Sequence, residues 1–416
     1  MNDEHVRRRI AQRLGGERFG LGTTLYKFEK IKRAKREALA AQPGRELIDL
    51  GVGEPDEMAD RRVRETLARE ADRPENRGYT DNGIAEFRAA AAAYMARVYG
   101  VPALDPEREL IHCIGAKSAL SLLPAALVDP GDLVVMTTPG YPVFGTHARW
   151  YGGEVLELPL RPESRFLPDL DAVPAETWAR AAAVVVNYPN NPTGAVASAE
   201  FFGRLIALAR RHGFVIVHDA AYAALRFDGA PLSFLALPGA REVGVEVQSL
   251  SKAFNMTGWR IGFVAGNALL VSAFGSVKDN SDSGQFAAIQ KAAMTALAHP
   301  EFTGEICAKY ARRMEGLVAT LRRCGFRAHM PAGGFFLYVP SPIAARGGEV
   351  AFDSAESAAQ HLIREALVST VPWDDAGAFL RLSVTFEAAG GAAAEQKVFA
   401  ELERRLLGLG LVFGEG

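Results

Sequence analysis

The chain is 416 residues long and carries 47 Lys and Arg against 49 Asp and Glu, a formal net charge of −2. That near-balance leaves no electrostatic footprint for nucleic acid or an anionic membrane surface, and 49% hydrophobic with 23% charged residues is wrong for a disordered chain. Cys113, Cys307 and Cys324 are too few and too scattered for a disulfide framework and include no CxxC, so they read as reduced core thiols. No apolar run approaches the ~18 residues needed to span a bilayer, and the opening MNDEHVRRRIAQR lacks a secretory h-region; a soluble, cytoplasmic protein is expected.

Residues 1–50 are basic and helical in pattern, with KFEKIKRAKREALA stopped by Pro43-Gly44, and read as a solvated helix face. From 60 to 295, helical stretches alternate with short β-branched runs and Gly/Pro turns. The pattern predicts strands at 133–136, 183–187, 215–218, 245–249 and 262–265, and helices at 117–127 and 199–212. Strands alternating with helices of this length mean βαβ units around a parallel or mostly parallel sheet. After 300 come a long amphipathic helix from Glu301, the stretch GGFFLYV, a further helix, a short strand at 379–385 and a final helix. The expected organisation is a large α/β domain over 60–295 and a smaller α+β domain built from 1–59 together with 296–416.

The usual nucleotide and hydrolase signatures are missing: there is no GxxxxGK[ST], no GxSxG and no HExxH. Gly51-Val52-Gly53-Glu54-Pro55-Asp56 lacks the third glycine of a dinucleotide fingerprint and runs into proline. The histidines are dispersed without a zinc-ligand spacing, so no metal is expected and His218 reads as a structural imidazole.

Four segments fall at strand ends, where open α/β sheets bind ligands. Ser249-Leu250-Ser251-Lys252, running on to Trp259-Arg260, suggests a Schiff-base lysine beside an anion site, with Ser249 and Arg260 available to a phosphate. The strand ending in His218-Asp219 delivers a carboxylate that is costly to bury without a cation, and a pyridinium nitrogen is such a partner. Tyr222 lies three residues on. In Asn187-Tyr188-Pro189-Asn190-Asn191-Pro192-Thr193-Gly194 the Asn191 amide can reach a phenolic oxygen; read alone, this is a strand-to-helix turn. Gly115-Ala116-Lys117-Ser118 opens a helix whose N–H groups can approach a phosphate, and Tyr141 offers a ring to stack on a heteroaromatic face.

Together, PNNPTG, HDAAYA, SLSKAFNMTGWR and the arginine of FLRLSV resemble fold-type I pyridoxal-phosphate aminotransferases of class I and II, from about residue 20 to the C-terminus. The resemblance implies a large domain with a mostly parallel central sheet and helices on both faces, plus a small α+β domain. It implies pyridoxal 5′-phosphate as cofactor, with Lys252 as its Schiff-base lysine and Asp219 on the pyridine nitrogen. Tyr222 and Asn191 then hold the phenolic oxygen, and Tyr141 stacks on the ring. Ala116, Lys117, Ser249 and Arg260 hold the phosphate, with Ser251 among the cofactor contacts. Arg381 matches the arginine that clamps a substrate α-carboxylate, helped by Gly53 and Asn191. Tyr79 matches a tyrosine donated to the partner subunit's phosphate, which implies a homodimer with shared sites acting on amino acids and 2-oxo acids.

Within that family, GYTDNGIAEFR, IGAKSAL, TTPGYPVFGTH, HDAAYAAL and STVPWDDAG are most similar to LL-diaminopimelate aminotransferases. This implies amino-group transfer between LL-2,6-diaminopimelate or tetrahydrodipicolinate and glutamate or 2-oxoglutarate in lysine biosynthesis. Lys117 then also meets a distal substrate group, and Tyr26 contacts substrate. One departure stands out: where the family offers an asparagine from the partner chain, this sequence has Asn280-Ser281-Asp282-Ser283, with Asp282 at the matching position. The alternatives are an aspartate- or aromatic-type class I aminotransferase and, further off, a pyridoxal-phosphate lyase or synthase. A cofactor-sensing regulator is disfavoured, because the residues before GVGEPD are too few for a DNA-binding domain.

Overall fold

The computed structural model describes residues 3–21, 27–388 and 390–414. In chain order its strands are β1 (Ile48–Asp49), β2 (Leu110–Cys113), β3 (Leu133–Thr138), β4 (Glu154–Pro159), β5 (Ala181–Asn187), β6 (Val215–Asp219) and β7 (Gly244–Ser249). Then follow β8 (Gly262–Gly266), β9 (Phe336–Pro340), β10 (Ala344–Ala345), β11 (Val350–Ala351), β12 (Val368–Ser369), β13 (Val371–Trp373) and β14 (Phe379–Ser383). A seven-stranded sheet runs β2-β8-β7-β6-β5-β3-β4. β4, β3, β5, β6 and β7 are parallel, and β8 is antiparallel to both of its neighbours.

This is the mostly parallel α/β sheet that the alternating sequence predicts, and each expected strand forms within a residue or two of its expected bounds. β2 and β4 were not anticipated. β2 is only four residues and ends in His112 and Cys113, while β4 is a largely exposed edge strand whose alternation gives little periodic signal.

Runs such as Ala181–Asn187 are apolar throughout because both faces of the sheet are covered. The two-residue period sends Val184, Val186 and Ile216 into one core layer with Phe87, Phe202 and Phe263. It sends Ala183, Val185 and Val217 into the other, with Leu123, Val134 and Phe274. By the same alternation, His218 faces the first layer, against Phe202, and Asp219 is turned the opposite way.

A second core forms around the three-stranded sheet β13-β14-β9 and helices Glu301–Arg323, Ala355–Ala366 and Ala392–Leu407. The N-terminal side joins it: Ile48 and Leu50 are part of this core, and β1 pairs in parallel with β12. A buried charge cluster anchors the segment that follows. Arg313, 2% exposed, pairs with Asp56 at 2.9 Å and Glu395 at 2.8 Å, and Lys309 also reaches Asp56 at 2.9 Å. Residues 51–56 are thereby held across the C-terminal ends of the central strands. No helix among the described residues is long and apolar enough to cross a membrane.

Candidate active site

The C-terminal ends of β5, β6 and β7 and the segment 51–56 enclose a cleft of about 710 Å³. Its walls carry Gly53, Ala116, Lys117, Tyr141, Asn191, Asp219, Tyr222, Ser249, Ser251, Lys252, Arg260 and Arg381. Residues expected from separate motifs therefore meet in one place.

Lys252 leaves β7 on the short helix Leu250–Ala253, whose N-cap Ser249 accepts the Ser251 N–H at 3.2 Å. That cap turns the chain sharply at the strand end. The Lys252 ammonium donates to the Gly53 carbonyl at 2.9 Å. Burial, with Arg260 and Arg381 nearby, pushes its pKa down to about 8, although Glu54 opposes the shift. A lysine so placed reaches the neutral, nucleophilic form far more readily than an exposed one.

Asp219 ends β6 almost wholly buried. Among the described residues its carboxylate accepts one hydrogen bond, from the Ala221 N–H at 3.2 Å. Burial raises its pKa to about 6, and only that hydrogen bond and the neighbouring His218 oppose it. A buried carboxylate this poorly compensated calls for a cationic partner. Asn187 fixes the geometry around it, donating to the Asp219 carbonyl at 2.9 Å and accepting the Asn191 N–H at 2.8 Å. One amide thus staples the end of β6 to the loop that presents Asn191. Tyr222 is buried edge-on against Phe335 and Phe336, and burial pushes its phenol pKa upward.

Arg381 projects from β14, 4% exposed. It donates to Asn191 Oδ1 at 3.0 Å and to the Gly51 carbonyl at 3.2 Å, and its Nε has no partner among the described residues. Its guanidinium lies 4.0 Å from the Phe336 ring centroid and 5.8 Å from that of Trp373. No carboxylate among the described residues pairs with it, and burial draws its pKa down to about 10. An arginine beside aromatic rings, with donors to spare, can receive a planar anion.

At the other end of the cleft, Gly115 caps helix Ala116–Leu127 with φ 77°. A Cβ there would lie 2.5 Å from Arg260 Nη2, so only glycine lets the guanidinium approach the helix N-terminus. Arg260 is steadied by the Thr257 carbonyl at 2.7 Å. Helix N–H groups and a guanidinium converging on one point make an anion cradle.

Some expected residues stand apart. Tyr79 is 87% exposed and does not line the cleft. Tyr26 lies outside the described residues. Asp282 is engaged in holding its own turn: it pairs with the buried Lys278 at 2.7 Å and accepts the Gly284 N–H at 2.8 Å. His218 bridges Glu246 and the Tyr188 carbonyl, each at 2.9 Å, the structural part expected of it.

Sequence reasoning missed Gly51, Phe336, Trp373 and the stapling amide of Asn187. Each sits in a stretch already singled out, GVGEPD, GGFFLYV, STVPWDDAG or NYPNNPTG. Nothing local separates an aromatic ring that flanks a guanidinium from one that only fills a core.

Comparisons with known proteins identify the family. The model of the family "Aminotransferase class I and II" matches residues 45–399. The LL-diaminopimelate aminotransferase of Methanocaldococcus jannaschii is 52% identical over 99% of this chain and 100% of its own length. That of Methanococcus maripaludis is 48% identical, with the same coverage. Substrate-bound BacF from Bacillus subtilis superposes with a TM-score of 0.85 at 31% identity, covering 94% of this chain and 97% of that one. A double mutant of Thermus thermophilus aspartate aminotransferase superposes with a TM-score of 0.82 at 31% identity, covering 95% and 99%. The chain belongs to the class I and II aminotransferases.

Proposed function

We propose that this aminotransferase uses pyridoxal 5′-phosphate to move an amino group between LL-2,6-diaminopimelate and 2-oxoglutarate, in either direction. One observation carries the cofactor reading: the cleft holds unmatched charges in the order that this molecule and its substrate need. Asp219 wants a cation, as the ring nitrogen offers; Arg260 and the Gly115 helix end want an anion, as the phosphate offers. Arg381, with no carboxylate of its own, wants the α-carboxylate of an amino acid. The residues present therefore fit the cofactor.

When bound, the cofactor supplies an aldehyde and an electron-withdrawing ring that stabilises negative charge at the substrate α-carbon. The chain does the rest. Asp219 keeps a proton on the ring nitrogen through its buried negative charge. Tyr222 and Asn191 hold the phenolic oxygen, Tyr141 covers the ring, and Ala116, Lys117, Ser249 and Ser251 close round the phosphate end. Arg381, oriented by Asn191 and Gly51, fixes the α-carboxylate so that the α-hydrogen faces Lys252. Lys252 Nζ, neutral at moderately alkaline pH, would take the α-proton and give it back on the far side of the transferred nitrogen, acting as base and then acid. In this reading residues 60–295 carry the cofactor, while 1–59 with 296–416 bring Arg381 to it. The exposed Tyr79 reaches the phosphate of a partner subunit in a homodimer.

The substrate reading rests on the full-length likeness to LL-diaminopimelate aminotransferases. Its test is glutamate formation from 2-oxoglutarate with LL-diaminopimelate, its meso isomer, aspartate and aromatic amino acids as donors. Preference for LL-diaminopimelate is expected. Preference for aspartate or an aromatic donor overturns the substrate and leaves the reaction class intact.

A further inference from the structure

The anion cradle is held from behind by a side chain that does not line the cleft. Arg260 sits at φ 54°, a left-handed conformation that non-glycine residues rarely adopt. Gln285 grips the main chain at that point. Its Nε2 donates to the Trp259 carbonyl at 2.7 Å and to the Arg260 carbonyl at 2.8 Å. With both amide hydrogens used, Oε1 is left to accept, and it faces His112 Nε2 at 2.9 Å. His112 is 0% exposed and its Nδ1 has no partner among the described residues, so the ring is neutral with its proton on Nε2. Burial holds its pKa down at about 4, in keeping with that tautomer.

The backbone of Gln285 reaches in the opposite direction. Thr80 Oγ1 donates to the Gln285 carbonyl at 2.7 Å and accepts the Gln285 N–H at 3.0 Å. The neighbouring Gly284 has φ 85°, and a Cβ there would lie 2.4 Å from Thr80 Oγ1. The two segments therefore pack backbone to backbone, next to Tyr79. One residue ties three distant pieces together: β2 through His112, the chain after Lys252 through Arg260, and the Tyr79 segment through Thr80.

We propose that Gln285 is a positioning residue for the anion cradle, setting Arg260 and the Tyr79-Thr80 segment in one register. The proposal rests on the cofactor reading above. Gln285 does not line the cleft and acts through the main chain of Arg260. A phosphate-bearing ligand feels its loss, whereas the same ring without phosphate does not.

The experiment titrates apoprotein with pyridoxal 5′-phosphate and, separately, with pyridoxal, following absorbance. Two variants are used: Gln285→Met, of similar length without donors, and Gln285→Glu, of similar shape and unable to offer two N–H groups. Affinity for pyridoxal 5′-phosphate falls about 10- to 100-fold in both, by analogy with the loss of metal affinity when outer-shell partners of metal ligands are removed. Affinity for pyridoxal is unchanged. Wild-type affinity for pyridoxal 5′-phosphate in a folded variant overturns the proposal. Equal losses for both ligands also overturn it, since a merely structural role weakens both alike. If Gln285→Met does not fold, Gln285→Glu decides. Wild-type protein that binds no pyridoxal 5′-phosphate overturns the cofactor reading instead.

Discussion

Lys252 Nζ donates to the Gly53 carbonyl at 2.9 Å, joining residues 199 positions apart. Gly53 belongs to the segment anchored through Asp56 to the buried Arg313. The amine at the centre of the cleft is thus aimed by a loop that the second core holds in place. Four expectations follow from charges and contacts of this kind.

The Lys252 amine, with its pKa pushed down from 10.5 to about 8, is mostly neutral above that pH. Covalent capture of an aldehyde probe by the apoprotein should rise about tenfold per pH unit below 8 and level off above it. Stopped-flow absorbance measures this, with Lys252→Ala as the blank. A rate still climbing steeply at pH 10 would contradict the environment described for Lys252.

Asp219 is raised from 3.8 to about 6 in the folded chain, so the native state binds the extra proton between those values. Stability attributable to this group is present at low pH and is lost as pH rises through about 6. Asp219→Asn, which keeps an acceptor for the Ala221 N–H, should make the apoprotein ~3 kcal/mol more stable at pH 8. The advantage should shrink to about 0.5 kcal/mol by pH 4. Urea unfolding at the two pH values checks it, and the same variant should lose transamination. A variant equally stable, or less stable, at pH 8 refutes the uncompensated charge.

Arg381→Ala removes the guanidinium while leaving the rest of β14 intact. Because both substrates present an α-carboxylate, kcat/KM should drop about 100-fold or more in each half-reaction. Single-turnover kinetics with the amino donor and with the oxo acid separate the two. Damage confined to one half-reaction would mean that Arg381 is not the shared clamp.

Gly115→Ala places a methyl 2.5 Å from Arg260 Nη2 at a position with φ 77°. The strain should cost about 1–3 kcal/mol and displace the guanidinium from the helix end. Thermal melting of the apoprotein reads the first effect, and titration with inorganic phosphate reads the second. Unaltered phosphate affinity would show that the cradle tolerates the methyl and that Gly115 is not needed for it.

Much of this was legible in the chain itself. The alternation of β-branched runs with helices announced the α/β sheet, because periodicity records locally which faces are covered. Lys252, Asp219, Asn191 and Arg260 stood out because each lies at or just beyond a strand end or in a tight turn. There, the residue types that chemistry needs differ from those that packing needs. Other features belong to the tertiary structure alone. The meeting of Arg381 with Asn191 spans 190 positions, and the grip of Gln285 on Arg260 depends on the loop after helix Ala268–Lys278 meeting the turn before β8 in the folded chain. The exposed edge strand β4 and the short β2 take their identity from partners, not from their own periodicity. Local sequence specifies conformation and burial. Which distant groups come within hydrogen-bonding distance is settled by how two cores close around one cleft, and no local pattern encodes that.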